Sequence, residues 1–335
     1  MKTKSYDPFN LEIQRRIRTH LDAAEIKTLH ERSAWKHFAL LARQVLLLVG
    51  IGAAAYHVSN PWVWIPLAVL QGFVILSFII LLHEQVHNAI FARRRPRVER
   101  VLGLLYGLPS GISATQFKRW HLDHHNELGS ETEDPKRAYL TPKIVTRWYK
   151  FLYMTPALFV IYSIASGREA RSYPAGLRRT INLEKAAAIG LHALFAWWLW
   201  SHAGFEIWAR VHFVPLFLTF PFAFTLNRLG QHYAIDPGDP AKWSTLVNSH
   251  WFWDRIFVYS NLHLEHHYLV GVPCYNLPRL NRALQGFYRE IGHEPYGYGR
   301  ILYHWFIRNA VPHTRWSRGT RDTAPAAAGG APRQP

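Results

Sequence analysis

Thiols and acidic groups are both scarce in this chain. A single cysteine, Cys274, among 335 residues excludes a disulfide framework and a thiolate-rich zinc or iron–sulfur site, each of which needs several sulfur ligands. Only 22 Asp and Glu stand against 39 Lys and Arg, a formal charge of +17. The stretch Met1 to His30 lacks the apolar core of a secretory signal, so the first membrane span is expected to do the targeting itself. The mean hydropathy of −0.10 is too polar for a chain that is mostly membrane-embedded. What is abundant is apolar and aromatic surface, 49% and 15% of residues with 14 Trp, together with 20 His. That apolar content exceeds what a solvated disordered chain carries.

A basic balance points to nucleic acid only when the charge gathers on one face or arm of a soluble fold. Here it alternates with apolar runs, so no nucleic-acid partner is expected. The runs Phe38 to Val58, Pro61 to Leu82, Ala186 to Phe205 and Ile207 to Leu226 each approach the ~20 residues a helix needs to cross ~30 Å of hydrocarbon. Arg43 and Arg210 lie near span ends, where a long side chain reaches the headgroups. Eight Lys or Arg precede Phe38, seventeen lie from His83 to Lys185 and twelve from Asn227 onward, whereas the links Ser59 to Asn60 and Glu206 hold none. The positive-inside rule then puts both termini and the middle loop in the cytoplasm.

The expected fold is an all-α integral membrane protein of about four transmembrane helices in two hairpins, with a helical cytoplasmic cap. Its divisions are a cytoplasmic amphipathic segment over 1–37, a membrane-bound body over 38–316 and a disordered tail over 317–335 rich in Ala, Gly and Pro. Two further apolar stretches, Val101 to Ala114 and Phe151 to Ser166, are short and contain Pro109 and Pro156. They read as interfacial or re-entrant. A multi-pass location follows from this layout, and a bacterial inner membrane is the expected compartment.

The histidines are clustered. His83 and His87 in HEQVH lie four apart, and His121, His124 and His125 in HLDHH follow the spacing i, i+3, i+4, which places them on one side of a helix. The same spacing recurs at His263, His266 and His267 in HLEHH, and His232 in LGQHY follows the fourth run. Imidazole without thiolate suits iron, zinc, copper or nickel, and nine such donors are too many for one tetrahedral ion. Two metal ions of four or five ligands each are expected. Taken singly, His57, His192, His202, His212 and His304 read as surface, packing or interfacial residues. HEQVH alone matches a zinc metalloprotease pattern with Glu84 as general base, but that reading leaves the other histidine boxes without a purpose. A histidine-rich metal transporter would set its ligands inside the spans near the midplane, whereas these boxes sit at span edges.

At the three boxes the sequence resembles the membrane-bound fatty acid desaturase and hydroxylase superfamily, over roughly Pro61 to Leu280. HEQVH is similar to its first box, HLDHH followed by NELGSETEDP to its second, and NLHLEHHYLVGVPCYNLPRL to its third. The resemblance implies that His83, His87, His121, His124, His125, His263, His266 and His267 bind two irons, with His232 as a further ligand. Members often carry an Asn one turn before that last His; here the nearest is Asn227, five residues away, with Gln231 adjacent to His232. Glu84, Asp123 and Glu265 are candidate acceptors for ligand N–H groups, and Trp251 and Trp253 for the wall of a substrate channel or an interfacial belt.

Removing hydrogen from an unactivated methylene calls for O2 activated at a metal pair. The resemblance therefore implies an O2-dependent fatty acyl-lipid desaturase, with hydroxylation or ketolation of lipid or carotenoid substrates as the alternative on the same site. No His-Pro-Gly-Gly haem motif of a fused cytochrome domain is present. Electrons are then expected from a separate ferredoxin, rubredoxin or cytochrome b5. The cluster Arg93, Arg94, Arg95 and Arg97 is a topology signal and a candidate surface for an acidic carrier or anionic headgroups.

Overall fold

A computed structural model describes residues 7–310 apart from Glu131 and Pro237. The segment 317–335, expected above to form a tail, lies outside the described residues. Helices α1 (Asp7–Ile17) and α2 (Ala23–Leu29) are followed by α3 (Ala34–His57), α4 (Pro61–Val86), α5 (Pro96–Gly107) and α6 (Ala114–Asn126). Next come α7 (Arg147–Leu152), α8 (Ala157–Ala170), α9 (Ala175–Ala203) and α10 (Phe205–His232). The C-terminal part holds α11 (Trp251–Ile256), α12 (His263–Tyr268), α13 (Leu277–Ala283), α14 (Gln285–Glu290) and α15 (Tyr298–Leu302). Among the described residues the only extended pairing is one isolated bridge between Val247 and Tyr296.

Three helices, α3, α4 and α10, are long and apolar enough to cross a membrane. The remaining expected span, Ala186 to Phe205, falls almost wholly in α9, which has 29 residues and ends at Ala203. Its apolar part is diluted by His192, His202 and three Trp, so length and hydropathy together do not single it out. Helices α5 and α8, which take up the two short apolar stretches, have 12 and 14 residues. Both fall short of the ~20 needed for a crossing.

Local chemistry sets the helix ends. Ser33 caps α3 by accepting from the Lys36 N–H, and Asn60 caps α4 ahead of Pro61 at its first helical position, where a missing N–H costs nothing. Helix α4 runs on past Leu82 to carry the first histidine box, and α10 runs on past Leu226 to end at His232. The break before α10 falls at Gly204 rather than Glu206, because Gly204 takes φ +84, a left-handed conformation that glycine adopts without strain.

Helix α4 is the central element, with an unbroken buried run from Gln71 to Leu82, whereas α3 and α9 leave large apolar side chains such as Leu46, Val49, Leu194 and Trp197 exposed. A Cβ on Gly72 would lie 2.6 Å from the Thr219 carbonyl carbon, so the α4–α10 crossing needs glycine there. Over Ala209–Thr219 helix α10 is wound as a π-helix around Pro215. The Thr219 hydroxyl donates to Ala68 O at 2.7 Å and to Pro215 O at 3.0 Å, tying the distorted turn to α4. Arg210 does not snorkel. Its buried guanidinium donates to the Val58 carbonyl and so caps the end of α3.

The N-terminal segment is part of the body. Ile13, Ile17, Leu21 and Leu29 are buried in the same cluster as Leu264, Tyr268, Leu280 and Phe287. Arg16 and His20 both reach Glu290, at 2.7 and 2.6 Å, which clamps α1 over the third histidine box.

Candidate metal centre

Four helices deliver the nine histidines to one place. His83 lies in the last turn of α4 and His87 is its C-cap, α6 carries His121, His124 and His125, α10 ends at His232, and α12 holds His263, His266 and His267. They fall into two sets, His83, His87, His121, His125 and His266, and His124, His232, His263 and His267, with the ligating atoms of each set within 4.8 Å of one another. In the first set Nε2–Nε2 separations are 3.1 Å for His83–His266, 2.6 Å for His87–His121 and 3.0 Å for His266–His125. In the second they are 3.0 Å for His124–His232, 3.0 Å for His232–His263 and 3.1 Å for His267–His263.

Hydrogen-bond logic decides what those separations mean. His232 Nδ1 lies 3.0 Å from the Trp243 carbonyl, which only accepts, so Nδ1 carries the proton and Nε2 a lone pair. His124 Nδ1 donates in the same way to Asp134 Oδ1 at 2.8 Å. Two Nε2 lone pairs therefore face each other across 3.0 Å, an arrangement that a cation between them relieves. Burial, reinforced by neighbouring imidazoles, holds His121, His125, His266 and His267 well below the ordinary histidine value, and burial then Lys136 does so for His263. The rings are thus neutral and ready to ligate. The donor set fits a metal pair, with imidazole nitrogen throughout.

A cavity of about 690 Å³ runs from this centre between α4, α6, α8, α9 and α10. His83, His121, His263 and His266 line it at the centre, Leu76, Ile79, Phe117 and Phe220 along its length, and Trp208, His192 and His212 beyond.

The fatty acid desaturase family model matches residues 59–299. The chain belongs to that family. A sphingolipid delta(4)-desaturase of Drosophila melanogaster is 24% identical over 304 residues, 87% of this chain and 86% of the relative. A human sphingolipid delta(4)-desaturase/C4-monooxygenase is 23% identical over 294 residues, 86% and 84% of the two chains. An sn-1 oleoyl-lipid 12-desaturase of Anabaena variabilis is 22% identical over 287 residues, 79% and 80%. The protein is an oxidoreductase of this desaturase family.

The acidic residues named from the sequence are placed unequally in the desaturase. Glu84 accepts the Cys274 N–H at 2.8 Å, and its Oε1 lies 3.6 Å from His83 Nδ1. Asp123 pairs with Arg119 at 2.7 Å, on the outer side of α6. Glu265 accepts from Asn281 and, at 2.7 Å, from the Tyr288 hydroxyl, so it braces α12 against α13 and α14. Asn227 bonds Ser260 at 2.8 Å and Gln231 at 3.0 Å. Trp251 is exposed, and Trp253 stacks on Phe257 at 5.6 Å and not on the cavity.

Three groups at the site were not singled out by sequence reasoning. Asp134, in the ETEDP run after the second box, and the Trp243 carbonyl orient His124 and His232. Lys136 places Nζ 3.5 Å from His263 Nε2 and 3.4 Å from Gln231 Oε1. Burial, then the Arg228 guanidinium, pushes Lys136 down to about 7 against the pull of Asp134. The acidic residue shortly after the second box was a usable signal for Asp134; nothing in the sequence marks a backbone carbonyl.

Proposed function

We propose that this desaturase is a membrane-bound, non-haem di-iron enzyme that uses O2 to introduce a C=C bond into the acyl chain of a lipid. His83, His87, His121, His125 and His266 hold one iron, and His124, His232, His263 and His267 the other. The observation that carries this reading is the pair of facing Nε2 lone pairs on His124 and His232, fixed by Asp134 and Trp243. Bound iron supplies O2 activation and the removal of hydrogen from an unactivated methylene.

The chain's own residues bind and orient. Leu76, Ile79, Phe117 and Phe220 replace water around an apolar chain and hold its methylenes against His83, His121, His263 and His266, the positioning on which selective oxidation depends. The relatives' sphingolipid and oleoyl-lipid names support a sphingoid or glycerolipid acyl chain as substrate. Hydroxylation at the same centre is the second reading, favoured by the human relative's double name of desaturase and C4-monooxygenase. Electrons arrive from a separate ferredoxin, rubredoxin or cytochrome b5. Asn227, bonded to Ser260 and Gln231, steadies the end of α10 that carries His232, and Glu84 and Glu265 hold the box helices.

The fourth crossing is α9. It meets α6 near its start, through Glu184 and Thr115, and ends at the Gly204 turn into α10, so it is a second strut of the depth that α10 covers. With four crossings both termini and all nine histidines share the cytoplasmic side, in accord with the Lys and Arg distribution.

The test is anaerobic iron loading of the purified protein with metal analysis, alongside lipid profiling of cells with and without it. About two irons per chain are expected for nine nitrogen donors, with an added double bond in a lipid acyl chain. His124→Ala and His266→Ala lose iron and product, whereas His304→Ala keeps both. One zinc per chain with no iron taken up overturns the reading.

A further inference from the structure

The far end of the cavity carries polar groups that the metal centre does not use. His192 Nε2 lies 2.9 Å from the Leu108 carbonyl. A carbonyl only accepts, so with one proton per neutral ring His192 is protonated on Nε2 and bare on Nδ1. That bare nitrogen is 3.1 Å from His212 Nε2, which must then supply the proton. The chain of donors ends at His212 Nδ1, a lone pair. His212 is only 7% exposed, and its Nδ1 has no hydrogen-bond partner. Trp208, one turn earlier on the same helix, likewise has its indole Nε1 buried without an acceptor. Both side chains line the cavity. An unmatched acceptor and an unmatched donor therefore share one wall, within the π-wound stretch or at its edge, and such windings recur at functional sites.

A polar pair inside a membrane span is costly and marks a site where a ligand supplies what is missing. One group supplies both at once: a hydroxyl donates to His212 Nδ1 and accepts from Trp208 Nε1. His212 precedes His232 by 232 − 212 = 20 residues on α10, which at 1.5 Å per residue is at most about 30 Å. We propose that this end of the cavity is a hydroxyl-binding site, and that the substrate is a long-chain lipid carrying an alcohol remote from the carbon that is oxidised. The proposal rests on reading the cavity as the substrate site, but its test requires neither iron nor turnover.

The full chain, purified in detergent, is titrated with hexadecan-1-ol, its methyl ether and heptadecane in competition against tritiated hexadecan-1-ol. The ether keeps the acceptor oxygen and loses the donated proton. Alcohol is expected to bind at least about tenfold more tightly than ether or alkane, the scale of satisfying a buried acceptor. In His212→Phe the alcohol should fall to the level of the ether, with both still ahead of heptadecane through the Trp208 Nε1 donor, and Trp208→Phe should weaken alcohol and ether and leave the alkane unchanged. Equal binding of alcohol and ether by the unaltered protein overturns the proposal, as does an alcohol-over-ether preference that survives in His212→Phe; a water molecule filling the site would give the first of these results. The comparison on the unaltered protein decides even if the variant fails to fold. A protein that desaturates lipids without the alcohol preference refutes this inference alone, and one that prefers alcohols yet takes up no iron refutes only the di-iron reading.

Discussion

Asp134 offers the sharpest perturbation of the candidate metal centre, because it is buried and bonds His124, a member of one of the two histidine sets. Its Oδ1 accepts from His124 Nδ1 at 2.8 Å and from the Lys136 N–H at 2.9 Å. A carboxylate in that position fixes the imidazole tautomer and makes Nε2 a better ligand. In Asp134→Asn the side-chain carbonyl still accepts both protons, but the charge-assisted bond falls to a neutral one of roughly half the strength. In Asp134→Ala the imidazole loses its anchor altogether. Removing such a supporting partner weakens metal binding about 10- to 100-fold, or roughly 1.4 to 2.7 kcal/mol. Asn belongs at the low end of that range and Ala at the high end. On the proposed di-iron reading the effect should fall on the site of His124, His232, His263 and His267, whose His124 ring Asp134 bonds. Stepwise iron release to a chelator, followed by metal analysis, reads this as one weakened and one unchanged site. Asp123→Asn is the control, as Asp123 pairs outward with Arg119. The reasoning fails if Asp134→Ala retains both irons as tightly as the unaltered chain, or if Asp123→Asn costs as much.

Further perturbations test the fold and its electrostatics. Burial raises the Glu169 carboxyl from 4.5 to about 7, so the charged form opposes folding: the penalty is absent below about 4.5 and complete above about 7. Glu169→Gln should therefore be stabilising at pH 8, by up to about 3 kcal/mol, and not at pH 4.5; thermal denaturation showing no pH dependence of the difference refutes it. Gly72→Ala drives a methyl into Thr219 and should destabilise by about 1–3 kcal/mol, whereas Gly50→Ala, with open space around it, should not; equal melting temperatures would contradict the close α4–α10 crossing. In a Cys274→Ala background, Thr132→Cys and Asn248→Cys should be labelled from one side of the membrane and Asn60→Cys from the other. Labelling of Thr132→Cys and Asn248→Cys from opposite sides would break the shared-side topology.

Much of the site was legible because helix periodicity is local. The spacings in HEQVH, HLDHH and HLEHH put imidazoles on one side of a helix whatever the rest of the chain does, and the apolar runs of α3, α4 and α10 state their length directly. Helix α9 was less legible, since its Trp and His residues lower its hydropathy while its length alone gives it reach. Arg210 was misjudged as a snorkelling residue because its acceptor, the Val58 carbonyl, belongs to another helix. Asp123 and Glu265 lie within their boxes in sequence yet turn to Arg119 and to Asn281 and Tyr288.

Sequence by itself determined the class of donor, the helical character, the membrane association and the family. Tertiary structure alone decided the division of nine imidazoles into sets of five and four. His124 and His125 are adjacent in the chain and go to different sets, as do His266 and His267, because consecutive residues on a helix point about 100° apart and each ring meets whichever neighbours the packing of α4, α6, α10 and α12 brings to its direction. The same holds for the cavity and for the His192–His212 relay: Leu108, His192 and His212 are brought together from three separate segments. No local pattern encodes a contact whose partners are joined only through the packed fold.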